Sequence, residues 1–447
     1  MLDRVVVVGG GAAGASAAAR ARRLEPRVEV VLVEASGMIT HAPCAIPYAI
    51  AGIAVGGMVT YTADEFERER GIKVLLNARV TDIDVDKRVV YIDRGGMYER
   101  LAWGRLVIAT GAAPSIPRIP GTDLKGVVTL RHPAYIDDIR RVLETASRVA
   151  IVGGSYLGIE MAEALLSIGK KVLLIEKENR PLPTALDSDM GEVVARELIS
   201  RGVELHLGES LTEIRGRDRV ENIVTDRESY SVDAVILATG VKPNTELALR
   251  AGIRLGSTGA IQVNEYMETS IDGVYAAGDV VEKFHRVLRK SVWIPLATTA
   301  NKEGQVAGAN SVRGRALKFP GVLGTTVTRF FNLYIARTGL STREALENGL
   351  NVESRTVKAR TKAHYFPGAS EVYVKLIAEM PSGRIVGAQV VGWDHAVASY
   401  IDVVAAAIAG GMTIDDLFFL DMGYTPSTAP VWHPLIVATR VLSRGRF

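Results

Sequence analysis

The tightest constraint on this chain is a motif that it carries twice. Arg4–Val8 is an apolar run that stops at Gly9-Gly10-Gly11-Ala12-Ala13-Gly14; a stretch rich in alanine and arginine follows to about Leu24, and a second apolar run, Val28–Val33, ends in Glu34. The same order returns 144 residues later, counted from Gly9 to Gly153. Arg148–Val152 leads into Gly153-Gly154-Ser155-Tyr156-Leu157-Gly158, a helical pattern through Ile159–Ile168, and a run from Lys171 to Ile175 ending in Glu176. Each copy predicts strand, glycine turn, helix and strand.

These residue types suit a dinucleotide. Gly9 permits the tight turn, Gly11 lets a pyrophosphate approach the backbone at a helix N-terminus, and Gly14 lets the helix pack closely on its strand. Ala12 and Ala13 complete the loop. Glu34, 20 residues after Gly14 and followed by Ala35, sits where a carboxylate accepts hydrogen bonds from a ribose. In the second copy Gly153, Ser155, Tyr156, Leu157, Gly158 and Glu160 are the corresponding contacts, with small Ser155 in the middle-glycine position. Glu176 favours an unphosphorylated ribose, while Lys177 and Arg180 could hold a 2′-phosphate, so NADH and NADPH both stay open.

Three more segments fit the pattern. Leu106-Val107-Ile108-Ala109-Thr110-Gly111 and Leu237-Ala238-Thr239-Gly240 read as closing strands of the two units, each ending in a Thr-Gly turn. Val274-Tyr275-Ala276-Ala277-Gly278-Asp279 reads as a strand with an acid at its end, able to bind a sugar-chain hydroxyl or, alternatively, to cap a helix.

Composition narrows the class. A length of 447 residues suggests two to four domains. Lys+Arg 53 against Asp+Glu 50 gives +3, which offers nothing to a nucleic acid. The run Val5–Val8 breaks into glycines and no apolar span reaches about 18 residues, so we expect a soluble cytoplasmic protein without a signal peptide or membrane span. The single cysteine, Cys44, excludes an intramolecular disulfide and a cysteine-rich zinc site, and no metal is expected.

Taken together these motifs resemble the flavin-dependent pyridine nucleotide–disulfide oxidoreductases over the whole chain. The resemblance implies an α/β protein of two Rossmann-like dinucleotide-binding domains, the second inserted in the first, plus a C-terminal α+β domain that makes a homodimer. It places FAD in 1–113 and 245–325, NAD(P) in 114–244 and dimerisation in 326–447. FAD contacts would be Gly9, Gly11, Ala12, Ala13, Gly14, Glu34, Ala35, Val80, Ala109, Thr110, Gly111, Gly278 and Asp279. Pro295, Leu296, Ala297 and Thr299 would join them from the tract that resembles the family's helix beside the flavin pyrimidine ring. NAD(P)H would take the second loop with Glu160, Glu176, Lys177 and Gly240.

Within that family the redox centre discriminates. Two-cysteine reductases are impossible here, and Thr40-His41-Ala42-Pro43-Cys44-Ala45-Ile46-Pro47-Tyr48 resembles the one-cysteine branch, closest to the archaeal-type coenzyme A-disulfide reductases and NAD(P)H sulfur oxidoreductases. Peroxidases of the branch are similar to one another in carrying a histidine in the first glycine loop, where this chain has Ala12. The resemblance assigns Cys44 as the redox thiol and Tyr365 and Tyr424 as residues that reach the partner subunit's cysteine; each tyrosine has the alternative of an ordinary interface aromatic. His433-Pro434 lacks the following glutamate of the two-cysteine reductases, so His433 is read as structural. Coenzyme A contacts would fall on Arg20, Arg23, Thr40 and His41, with a solvated helix face as the alternative for the arginines and packing or a backbone hydrogen bond for His41.

A helix starting after Cys44 would place the thiol near a helix N-terminus and lower its pKa. The activity implied is NAD(P)H-dependent reduction of coenzyme A disulfide, persulfide or polysulfide, through FAD to a mixed disulfide or persulfide on Cys44. The alternatives are an NADH oxidase that passes electrons to O₂ and a non-catalytic flavoprotein that responds to NAD. The lack of a rhodanese-like segment before Phe447 weakens the dedicated persulfide reductase.

Overall fold

The computed structural model describes residues 4–53 and 58–443; Phe447 lies outside them. Both glycine motifs fold into parallel five-stranded sheets. The first runs Val274–Ala276, Arg105–Ile108, Arg4–Val8, Glu29–Val33, Lys73–Leu75 across the sheet, with every neighbouring pair parallel. The second runs Glu204–Leu207, Lys171–Glu176, Arg148–Val152, Ala234–Leu237, Val127–Val128, again all parallel. Parallel strands are covered on both faces, which is why their sequences are unbroken apolar runs. Val5, Val6 and Val7 in one sheet and Ala150 and Ile151 in the other are wholly buried.

The order along the chain makes the nesting explicit. The whole second sheet is built between two neighbouring strands of the first, Arg105–Ile108 and Val274–Ala276. As the chain passes into and out of it, Ala112–Pro114 and Val241–Pro243 pair antiparallel. Each unit also carries a three-stranded antiparallel meander, Arg79–Asp84, Val89–Arg94 and Met97–Ala102 in one and Leu211–Arg215, Asn222–Thr225 and Ser229–Ser231 in the other.

The C-terminal part is an antiparallel five-stranded sheet, ordered Thr326–Phe330, Leu333–Gly339, Arg384–Gly392, Glu371–Glu379, Val352–Arg360, packed against the helices Ala396–Gly410 and Pro434–Leu442. His433 accepts the Leu435 N–H at 3.2 Å and so caps the last of these helices, the structural part expected of it. Among the described residues no helix is long and apolar enough to cross a membrane, and no group of three His, Cys, Asp or Glu side chains could hold a metal.

The helix Ala12–Leu24 of the first loop crosses Ala297–Arg313 at unusually close range. A Cβ at Gly304 would lie 2.9 Å from the Ala13 carbonyl carbon and nearer still to its oxygen; one at Gly308 would lie 2.8 Å from that of Ala17. Alanine faces glycine along the crossing, so the two backbones touch and the first glycine loop is seated on the second helix.

Candidate functional site

Both loops hold their turns by the same device. Gly9 has φ +103° and Gly153 φ +108°, and a Cβ at either would meet a carbonyl carbon at 2.9 Å, Ala109 or Ala238 respectively. Gly14 and Gly158 lie against the carbonyls of Gly9 and Gly153 in the same way. Glu34 accepts the N–H of Gly10 and of Ser36, each at 2.7 Å, and Glu176 accepts those of Gly154 at 2.7 Å and Glu178 at 2.9 Å. Each carboxylate is thereby fixed at the rim of its loop, and every oxygen keeps a second lone pair for a ribose hydroxyl. Ser155 bonds the Ala238 carbonyl at 3.0 Å and caps its own helix by accepting from Gly158, so the helix starts at Tyr156, three residues earlier than the sequence pattern suggested.

A cavity of about 720 Å³ opens along the first loop. Its walls include Gly9, Gly11, Ala12, Ala13, Glu34, Ala109, Thr110, Gly111, Gly278, Asp279, Pro295 and Ala297, together with Thr40, His41 and Cys44. The other expected contacts stand back from it. Gly14 is buried beneath the loop, Ala35 is exposed, Val80 packs into the core below the sheet, Leu296 precedes the helix, and Thr299 is buried inside it. Asp279 caps no helix: one oxygen pairs with Arg131 at 2.6 Å, and the other is buried without a partner. A buried acceptor left unsatisfied at a cavity wall costs free energy until a donor arrives. A glycine cradle, the Glu34 carboxylate at its rim and the Asp279 carboxylate in the wall fit the pyrophosphate, ribose and ribityl hydroxyls of FAD.

Arg131, His132, Asn244, Tyr61 and Arg70 also line the cavity and were not anticipated. Arg131 lies 148 residues from Asp279, and no local spacing announces it. His41 and His132 pack with their rings tilted by 45° and centroids 4.1 Å apart. The Nδ1 of His41 and the Nε2 of His132 are buried without partners. Burial, and after it His132, push His41 down to about 4, which leaves it neutral near pH 7. Its ring edge nonetheless lies beside Gly11: a Cβ there would be 3.8 Å from His41 Cε1.

Cys44 sits in the 3₁₀ turn Pro43–Ala45 directly before the short helix Ile46–Ile50. The position matches the expectation, but the thiol pKa does not. It is raised, by burial first and by the Glu160 carboxylate second, with Arg131 opposing. The sulfur is exposed to the cavity, yet the walls around it exclude enough water to disfavour the thiolate. A five-residue helix supplies too little dipole to reverse this.

Glu160 brings the second unit to the thiol. It accepts a hydrogen bond from Thr328 at 2.7 Å and shares a small hollow with Pro47 and Tyr48, just past Cys44. Burial raises its own pKa. Tyr156 points its hydroxyl to Thr326, and Leu157 packs into the second unit's core. Lys177 is exposed beside Glu176 and Gly240 is exposed on its turn, while Arg180 is turned inward onto the carbonyls of Leu186 and Pro183, at 2.9 and 3.1 Å.

The remaining candidates divide. Arg23 is at the cavity mouth, bonded to Gln305 at 3.3 Å, whereas Arg20 is not on its wall. The Thr40 hydroxyl both donates to and accepts from the Tyr61 backbone at 2.8 Å, so its polar capacity is used locally. Tyr365 and Tyr424 are exposed, 66% and 50%, and off the cavity; the Tyr365 hydroxyl beside it raises the Tyr424 phenol.

Two nested dinucleotide folds that meet at one thiol define an oxidoreductase with two nucleotide sites. The chain belongs to the pyridine nucleotide-disulphide oxidoreductases: residues 3–304 match that family, and residues 325–435 match its dimerisation domain. It is 45% identical over 445 residues to an NAD(P)H coenzyme A polysulfide/persulfide reductase of Pyrococcus horikoshii, covering 99% of each chain. It is 36% identical to an NADH oxidase of Methanocaldococcus jannaschii, covering 97% of each. The solved structure of a NAD-dependent persulfide reductase from A. fulgidus superposes with TM-score 0.96 at 38% identity, over 99% of this chain and 83% of the other.

Proposed function

We propose that this protein is an FAD-dependent NAD(P)H reductase of coenzyme A-linked sulfur, acting on the disulfide, the persulfide or a polysulfide. The observation that carries it is the lone Cys44 opening on the cavity of the first glycine loop, with no second cysteine anywhere in the chain. The second sulfur must then belong to the substrate. Similarity to the Pyrococcus and A. fulgidus reductases supports the same substrate class.

FAD held in this cavity would supply two-electron transfer between a nicotinamide and sulfur. The chain's own residues do the rest. Glu34, Gly11 and Asp279 hold the nucleotide, and Glu176 with its loop holds NAD(P)H, in domains that we place at 1–113 with 245–325 and at 114–244. Cys44 thiolate attacks one sulfur of the coenzyme A disulfide; a Cys44–coenzyme A disulfide forms, and one coenzyme A thiolate leaves. Arg23 at the mouth meets the phosphates, and His41 stays neutral beside the pyrophosphate turn. The domain at 326–447 forms the homodimer, through which Tyr365 and Tyr424 reach the partner's thiol and protonate the departing coenzyme A.

The test is mass spectrometry of the FAD-loaded protein after coenzyme A disulfide, followed by NADH under anaerobic conditions. One coenzyme A should appear on Cys44 and leave on reduction. A thiol that never takes up coenzyme A refutes the proposal. The oxidase reading draws on the Methanocaldococcus relative, and a Cys44→Ser enzyme with undiminished oxygen-dependent NADH turnover and no sulfur-reductase activity in the parent would favour it.

A further inference from the structure

Behind Asp279 lies an ion pair that none of the chemistry above uses. Lys283 and Glu303 are both fully buried, 0% exposed each, with Nζ and Oε2 3.0 Å apart. The pair grips one residue from two sides: Glu303 Oε2 accepts the Gly278 N–H at 2.9 Å, and Lys283 Nζ donates to the Gly278 carbonyl at 2.8 Å. Gly278 has φ +88°, and a Cβ there would meet that of Ala13 at 2.7 Å, so the residue is pinned against the first helix as well. The next residue is Asp279, which lines the cavity and has one carboxylate oxygen buried without a partner. Glu303 Oε1 is itself buried with no partner.

A pair this deep is a poor source of stability, since desolvating two charges commonly consumes what their attraction returns. Its geometry serves aim instead. We propose that Lys283 and Glu303 are positioning residues for the flavin, which hold the Gly278–Asp279 turn so that Asp279 meets the ribityl chain only while the ion pair is intact. This deepens the reading of the cavity as an FAD site and rests on it.

Burial raises Glu303 to about 7, against the pull of Lys283 and the Gly278 N–H and with some help from Asp279. The facing stretch of Ala12–Leu24 offers Ala13 and Ala17, and Tyr275 on the neighbouring strand gives its hydroxyl to the Asn310 carbonyl. Above about 7 the carboxylate is ionised and the clamp closed; below it Glu303 takes a proton, and Lys283 loses its counter-charge.

The experiment follows FAD release from the diluted holoenzyme by flavin fluorescence between pH 6 and 8. Wild type should release FAD about tenfold faster at pH 6 than at pH 8. Glu303→Gln should release it fast at both, and the double variant Lys283→Met/Glu303→Leu, which buries no charge, should behave as Glu303→Gln does. Either variant, if it matches the wild-type rate and slope, overturns the proposal, as does a flat wild-type profile. A wild-type protein that binds no FAD at all fails the cavity reading itself, which separates the two.

Discussion

Replacing glycine by alanine at two helical positions should have opposite effects in this protein. In an open helix the change gains about 1 kcal/mol. Gly410, the last residue of Ala396–Gly410, is open in this sense: an added Cβ would meet nothing closer than Met412 Cγ at 3.9 Å. At Gly304 the same methyl lies 2.9 Å from the Ala13 carbonyl carbon and closer to its oxygen, whereas ordinary contact is 3.4–4 Å. The helices must separate by about 1 Å, and overpacking of that kind costs about 1–3 kcal/mol. The two variants should therefore differ by about 2–4 kcal/mol, on the order of 4–16 °C in unfolding midpoint at about 2–4 °C per kcal/mol. Because Ala13 belongs to the glycine loop, Gly304→Ala should also lose FAD on gel filtration, and Gly410→Ala should keep it. Thermal melts and the ratio of flavin to protein absorbance read both effects. A Gly304→Ala protein as stable as Gly410→Ala, with full flavin, would show that the helix crossing is looser than described and refute the argument.

Other outcomes follow from single contacts. Because burial and Glu160 raise the Cys44 thiol, its alkylation by iodoacetamide should climb with pH only above the ordinary thiol range, and Glu160→Gln, by removing a negative charge, should move that curve to lower pH. Ser155→Ala deletes a helix cap and should cost about 1 kcal/mol, seen as an earlier urea transition. Tyr424→Phe should slow sulfur-substrate turnover by about a hundredfold or more, the low end of lost acid–base assistance, while leaving reduction of the bound flavin by NADH unchanged in stopped flow. Equal turnover would return Tyr424 to the status of an interface aromatic.

The nested sheets were legible because their signals are local: a glycine that must take positive φ, a small residue under a helix, an acid at a strand end. Gly9 and Glu34 stand within one strand–helix–strand unit, and Gly153 and Glu176 within the other. What escaped was written in distant pairs. Arg131 reaches Asp279 across 148 residues, and His132 meets His41 through the fold alone. The Cys44 error has the same origin, for a local helix suggested a lowered thiol, while what decides it is burial and a carboxylate from the other unit. Lys283 and Glu303 look like ordinary surface charges in the sequence, and only the packing makes them partners.

The pairing of Val274 with Leu106 has a consequence for how the molecule is made. On the ribosome the inserted unit has all its strands before residue 274 exists, while its host still lacks an edge. Domains generally fold as units during synthesis, and long-range pairing is slow. The inserted unit should therefore finish first and wait, with its host's sheet open beside it. Arrested nascent chains cut between residues 244 and 274 should resist protease in the insert and not in the segment before it.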